Sequence, residues 1–137
     1  MRLSAIPLLM GALVCAVIPL AARQSGESES SERWGGRNIS MQMTVEGASL
    51  EFDCGRGAIL QPIKPNAAGD FSVAGTYTQE MGGPVLKNNP PRDLPATYKG
   101  RISGDTMHLE IVLSDKDLQL PAFTLTRGSA GRLVKCR

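Results

Sequence analysis

The chain has 137 residues, 15 of them basic and 13 acidic, so its charges nearly balance. Aromatic residues make up 4% and do not interleave with the basic ones, which argues against stacking on nucleic acid. One histidine and three cysteines leave little material for a metal site or an activated nucleophile.

Residues 1–22 read as a signal peptide. Arg2 supplies a small positive region, Ile6 to Leu20 is apolar and uncharged, and Ala21-Ala22 offers small residues before Arg23. A retained membrane anchor is the competing reading, but the apolar run is short for a span and Pro19 lies near its end. Cys15 follows Val14, which is too bulky for a lipid-attachment motif. Cleavage removes Arg2 and Cys15, leaving 14 basic and 13 acidic residues and an even pair of cysteines. The expected location is secreted or periplasmic, with no stable membrane insertion after cleavage.

Residues 23–33 (RQSGESESSER) contain no large apolar side chain and cannot offset their ordering entropy, so they form a disordered polar linker. Trp34-Gly35-Gly36 marks the edge of a single domain spanning residues 34–137. Ile39, Met41, Met43, Leu50 and Phe52 alternate with polar residues, and a turn at Glu46-Gly47 would set Met43 opposite Leu50, Met41 opposite Phe52 and Ile39 opposite Cys54. A short strand is predicted from Gly57 to Ile63. Another is predicted over Phe71, Val73, Gly75 and Tyr77. Glu80 to Pro95 holds two glycines and four prolines and is predicted to be loop.

The clearest element is the hairpin of residues 98–113. With Gly104-Asp105 as a two-residue turn, Ile102 faces Met107, Tyr98 faces Ile111, and Lys99 faces Glu110 on the opposite side. Gln119 to Thr126 continues as a strand that Pro121 forces to an edge or a bulge, and Arg132 to Cys136 is predicted as the last strand. No window carries helical apolar spacing over a useful length.

About eight short strands predict an all-β fold, a small antiparallel up-and-down barrel, with a two-sheet β-sandwich as the alternative. Cys54 and Cys136 are predicted to form one disulfide, tying the second strand to the last and so supporting closure. The large inward side chains predict a barrel that fills itself and leaves no sizeable internal cavity.

No catalytic residue, metal ligand or cofactor is assigned. His108 falls on the polar face beside Thr106 and Glu110, opposite Arg101, as a solvated strand residue would. Asp53, Asp105 and Glu110 are scattered by the same pattern, so no carboxylate pair converges. Two surfaces remain. The long loop offers Gly82, Gly83, Pro84, Asn88, Asn89 and Arg92 as contact residues, because long loops without secondary structure are often functional. Arg127, Arg132, Lys135 and Arg137 form a run of basic residues with no acid between them, a candidate patch for anionic polymers or envelope lipids. The reading is an exported binding or inhibitor-like module that meets an envelope or extracellular protein or glycan through its end loops. The alternatives are an envelope structural domain without a specific ligand, or a carrier of small hydrophobic ligands.

The architecture resembles the calycin-like binding proteins, although no calycin signature is present. More closely, Trp34-Gly35-Gly36, Phe52-Asp53-Cys54, Gly75-Thr76-Tyr77, Gly82-Gly83-Pro84, Gly104-Asp105-Thr106-Met107, Phe123 to Gly128 and Lys135-Cys136 resemble small secreted bacterial proteins with no assigned function. That resemblance implies neither an activity nor site residues.

Overall fold

The computed structural model describes residue 11 and residues 31–80, 83–84, 87–88, 90–115 and 118–136. The predicted signal peptide lies outside these apart from Gly11, and so does the linker up to residue 30. In chain order the strands are β1 (Glu32–Gly36), β2 (Ile39–Met43), β3 (Ala48–Phe52), β4 (Gly55–Ile59), β5 (Asp70–Gln79), β6 (Asp93–Ser103), β7 (Thr106–Leu113), β8 (Leu118–Gln119) and β9 (Phe123–Arg127). Each of β1 to β6 pairs antiparallel with the next, β6 pairs with β7, β7 with β9, and β9 returns to β1. Eight strands therefore close a barrel, and the two-residue β8 is an extra strand on the far half of β7.

The hairpin of β6 and β7 has the predicted register, with Ile102 opposite Met107, Lys99 opposite Glu110 and Tyr98 opposite Ile111. Gly104 opens its two-residue turn at φ 59°, a left-handed conformation that glycine adopts without a Cβ penalty. The hairpin of β2 and β3 departs from its predicted register by two residues. Met43 lies opposite Ala48, Met41 opposite Leu50, and Ile39 opposite Phe52. The turn takes in Thr44 to Gly47, closed by the Thr44 amide donating to the Gly47 carbonyl. Gly47 is packed so tightly that a β-carbon there would collide with the Ile59 carbonyl. A slip of two keeps each side chain on its face, so the core is unchanged.

Two further elements differ from expectation. Glu32 and Arg33, linker-like by composition, belong to β1, which Trp34-Gly35-Gly36 completes. The predicted strand at Arg132–Cys136 is instead a strap with one isolated bridge, Arg132 to Arg37. The Cys54–Cys136 disulfide joins that strap to the turn between β3 and β4, with Cα atoms 5.2 Å apart. Closure of the barrel therefore does not run through the disulfide. It runs through backbone pairing of β1 with β9.

The interior is apolar and contiguous. Trp34, Ile39, Met41, Leu50, Phe52, Ile59, Tyr98, Met107, Leu109, Ile111 and Leu125 are among its buried side chains. Burial of each large side chain contributes about 1.5–3 kcal/mol relative to exposure. Met43, Val73 and Ile102 pack against this core while keeping partial exposure. Inward glycines make room for aromatic rings. A β-carbon at Gly55 would lie 2.6 Å from the Tyr77 hydroxyl, and one at Gly75 would lie 2.8 Å from the Tyr98 ring. Gly57 likewise faces the Tyr98 hydroxyl, and Gly100 faces the Phe71 ring. Phe52 meets Tyr77 edge-on with centroids 5.5 Å apart, and meets Phe123 of β9 across the interior at 5.3 Å. The outer wall is polar, carrying Ser49, Glu51, Arg56, Lys99, Arg101 and Glu110, the reverse of the apolar exterior of a transmembrane barrel. Among the described residues no helix is long and apolar enough to cross a membrane.

Tyr98 donates to the Thr76 carbonyl at 2.5 Å, and burial, with Tyr77 nearby, pushes its phenol far above the ordinary tyrosine range. Burial and the Glu80 carboxylate also raise Tyr77. In the unfolded chain both phenols ionise near about 10. A folded pKa above the unfolded one gives stability that is complete below pH ~10 and is lost as the pH climbs past it. Ultraviolet titration of tyrosinate is expected to show Tyr98 protonated until alkaline unfolding. Tyr98→Phe should cost about 1 kcal/mol at neutral pH, through loss of the hydrogen bond, and should weaken the alkaline dependence. Ordinary titration of both phenols in the native protein would contradict this packing.

Candidate functional site

The barrel has two unlike ends. At the hairpin end lie the β2–β3 and β6–β7 turns, the start of β1 and the end of β9. At the strap end lie the Arg37-Asn38 turn, the Asp53-Cys54 turn and the connection between β5 and β6. Asn38 turns the chain at φ 65°, a conformation that asparagine tolerates better than most residues. Its amide donates to the Arg132 carbonyl at 2.8 Å, which brings the strap across this end.

The β5–β6 connection is fixed at its root. The Thr78 hydroxyl donates to the Asp93 carboxylate across the two strands. The Glu80 amide donates to the Cys54 carbonyl at 2.9 Å, binding the outgoing chain to the disulfide corner. Lys135 of the strap completes the arrangement. Its ammonium lies 2.8 Å from Glu51 and 3.5 Å from Glu80, and donates to the Phe52 carbonyl at 2.9 Å. Glu51 foremost, with Glu80, raises the Lys135 pKa above its usual value. Beyond the root, Gly83, Pro84, Asn88 and Arg92 are exposed, and Gly83 turns the chain at φ 96°. Gly82 and Asn89 lie outside the described residues.

The run of basic residues does not form one patch. Arg127 is at the hairpin end, whereas Arg132 and Lys135 lie at the strap end, and Arg137 is outside the described residues. The Arg127 guanidinium stacks 4.4 Å above the Trp34 ring, pairs with Glu32, reaches Asp105 at 3.2 Å, and donates to the Gly104 carbonyl at 3.2 Å. Arg127 therefore caps one end of the core, and Lys135 binds one carboxylate from β3 and that of Glu80, just after β5. Of the described members of the run, Arg132 alone has no acid partner among the described contacts, and it is exposed, as is Arg37 beside it.

A third region was not marked by the sequence as a site. Asp70, Ser72, Lys99, Arg101, His108 and Glu110 rim a shallow groove of about 460 Å³ on the outer wall of β5, β6 and β7. Its charges are matched across strands. Arg101 grips Asp70 with two hydrogen bonds of 2.6 and 3.0 Å, which lowers the Asp70 pKa and raises that of Arg101. Thr124 approaches His108 Nδ1 at 3.3 Å, but Arg101 is the cross-strand neighbour of the imidazole on β6. A guanidinium has no acceptor with which to orient a general base, so this pair lacks the third member of a proton relay. Among the described residues, no three potential ligands from histidine, cysteine, aspartate and glutamate gather as a metal site would require.

No protein-family model matches the chain, and no curated protein and no solved structure matches it significantly.

Trp34 is the only tryptophan and is fully buried under Arg127. Arg127→Ala is expected to cost about 1 kcal/mol, the scale of a cation–π contact with its ion pairs at a partly exposed site. It should also red-shift Trp34 emission and raise acrylamide quenching. Unchanged emission and stability would show that the guanidinium does not cap the core.

Proposed function

We propose that this protein is an exported binding module whose contact surface is the strap end of the barrel, centred on the loop between β5 and β6. Its partner is a protein or glycan of the cell envelope or exterior. The observation that supports this most is the contrast between the root of the loop and its described interior. The root is fastened at Thr78–Asp93, at Glu80–Cys54 and through Lys135, while Gly83, Pro84, Lys87, Asn88, Pro90, Pro91 and Arg92 stand exposed. An anchored, proline-rich segment loses less freedom on binding than an unanchored one, which leaves more of its contact energy for affinity. Export is supported by the apolar leader and by the disulfide, which persists in oxidising compartments.

The barrel interior favours surface binding over carriage of a small hydrophobic molecule. Its inward glycines are matched to aromatic rings of the same chain, and Trp34, Tyr98, Met107, Leu109, Ile111 and Leu125 are fully buried. The second reading is an envelope structural domain without a specific ligand. The cross-strand pairing of Asp70 with Arg101 favours it, because two of the charges on that groove already satisfy each other.

The test is capture from envelope and extracellular extracts, and from a panel of envelope glycans, by the oxidised domain and by a variant with residues 82–92 replaced by a Gly/Ser linker. The replacement stops at residue 92 because Asp93 belongs to β6 and holds Thr78. A partner captured by the parent and lost by the variant is expected. Equal capture by both would remove this loop from the contact, and no capture by the parent would favour the structural reading.

A further inference from the structure

We propose that the Cys54–Cys136 disulfide is a reducible latch, opened by an exported dithiol that attacks Cys136, and that opening it releases the strap while the barrel stays closed. The proposal stands on the strap alone and needs no assumption about a partner.

The strap begins where β9 ends. Gly128 at φ 79° and Gly131 at φ 78° reverse the chain, which then passes over β1 and β2. Gly35 has no side chain, and a β-carbon there would collide with Ser129 and Gly131, so β1 carries a glycine where the strap crosses. Arg132 donates to the Gly36 carbonyl at 2.9 Å, Val134 to the Asp53 carboxylate at 2.8 Å, and Cys136 to the Asp53 carbonyl at 3.0 Å. With the Asn38–Arg132 bond and the Lys135 contacts described above, these hold the strap by polar groups that lie mostly at the surface. Val134 is 73% exposed, Arg132, Lys135 and Cys136 are exposed, and Leu133 alone in this stretch is a half-buried apolar residue. Exposed hydrogen bonds and ion pairs contribute little each. On this proposal the covalent bridge is what holds these individually weak contacts closed.

The barrel has no such dependence. Its ring is completed by β1 with β9, β9 with β7, and β7 with β6, all before the strap begins. An 82-residue separation between the cysteines lends the bridge a large effect on the unfolded chain, but in the folded chain it holds only the strap.

Access selects the sulfur. Cys136 is exposed and Cys54 is half-buried in its turn, so an incoming thiolate reaches Cys136. Attack forms a mixed disulfide between the reductant and Cys136, and Cys54 leaves as a thiolate and takes up a proton. The second thiol of the reductant then displaces Cys136, which also takes up a proton. Two electrons pass, the dithiol becomes a disulfide, and the chain holds two thiols. Exposed bridges are the labile ones, whereas bridges enclosed in a core resist reduction. With the bridge open, Lys135 has no covalent tie holding it beside Glu51 and Glu80.

The experiment treats the full oxidised protein with dithiothreitol, without denaturant, and follows alkylation by mass spectrometry, trypsin cleavage at Arg132 and Lys135, and Trp34 emission. The expected result is alkylation of both Cys54 and Cys136, cleavage in the strap at least about tenfold faster than in the oxidised protein, and unchanged Trp34 emission, the pattern of a local opening. The Cys54→Ser/Cys136→Ser variant should show the same strap cleavage with no reductant. Reduction that proceeds only in denaturant would overturn the latch. So would loss of the buried Trp34 signal on reduction, or equal cleavage of oxidised and reduced strap.

Discussion

The seam between β1 and β9 is the constraint on which the other features rest. Without it, eight strands would form an open meander with two exposed edges and an uncovered apolar face. The seam is short, pairing Trp34 with Arg127, Gly35 with Thr126 and Gly36 with Leu125. Its residue types fit their positions closely. Trp34 and Leu125 fill the interior, Arg127 covers the Trp34 ring at the hairpin end, and Gly36 admits the Thr124 carbonyl where a β-carbon would collide with it. Gly35 faces outward and gives the strap its path. A Trp-Gly-Gly sequence thus serves closure, core and strap together.

Closure also sets what the barrel can do. A small barrel that closes must fill a narrow interior at close packing. Here the filling is done by rings lying over glycines one or two strands away: Tyr98 over Gly57 and Gly75, Phe71 over Gly100, and Tyr77 beside Gly55. The same rings that stabilise the wall occupy the volume a ligand would need. The proposed binding function is therefore assigned to the surface, where the β5–β6 loop is fastened at its root through Thr78–Asp93, Glu80–Cys54 and Lys135.

Much of this was legible in the sequence where the signal is local. The β6–β7 register follows from one glycine turn and two uninterrupted alternations, and the inward set from Ile39 to Ile111 follows from parity alone. The β2–β3 register slipped by two because the turn is set by Gly47 against Ile59, a contact between strands that no local pattern shows. Strand β1 was hidden because two glycines after a polar stretch resemble a breaker, when each answers to a segment about ninety residues away. Strap residues Arg132–Cys136 look like a strand by composition, yet a closed ring leaves no edge for them to join. For the site, the loop and the cysteine pair could be read directly. The split of the basic run could not, because Glu32, Glu51 and Glu80, which engage Arg127 and Lys135, are far away in sequence.

Native-state hydrogen exchange reports on the seam itself. The Gly128 amide donates to the Arg33 carbonyl at 2.7 Å, and Thr126 lies opposite Gly35. Both amides are expected to be protected to nearly the same extent as those of the β6–β7 hairpin, in the oxidised protein and in the Cys54→Ser/Cys136→Ser variant alike. Rapid exchange at Thr126 and Gly128 with the hairpin still protected would contradict it, because the sheet would then be open and the covalent bridge, not the backbone seam, would be holding its ends together.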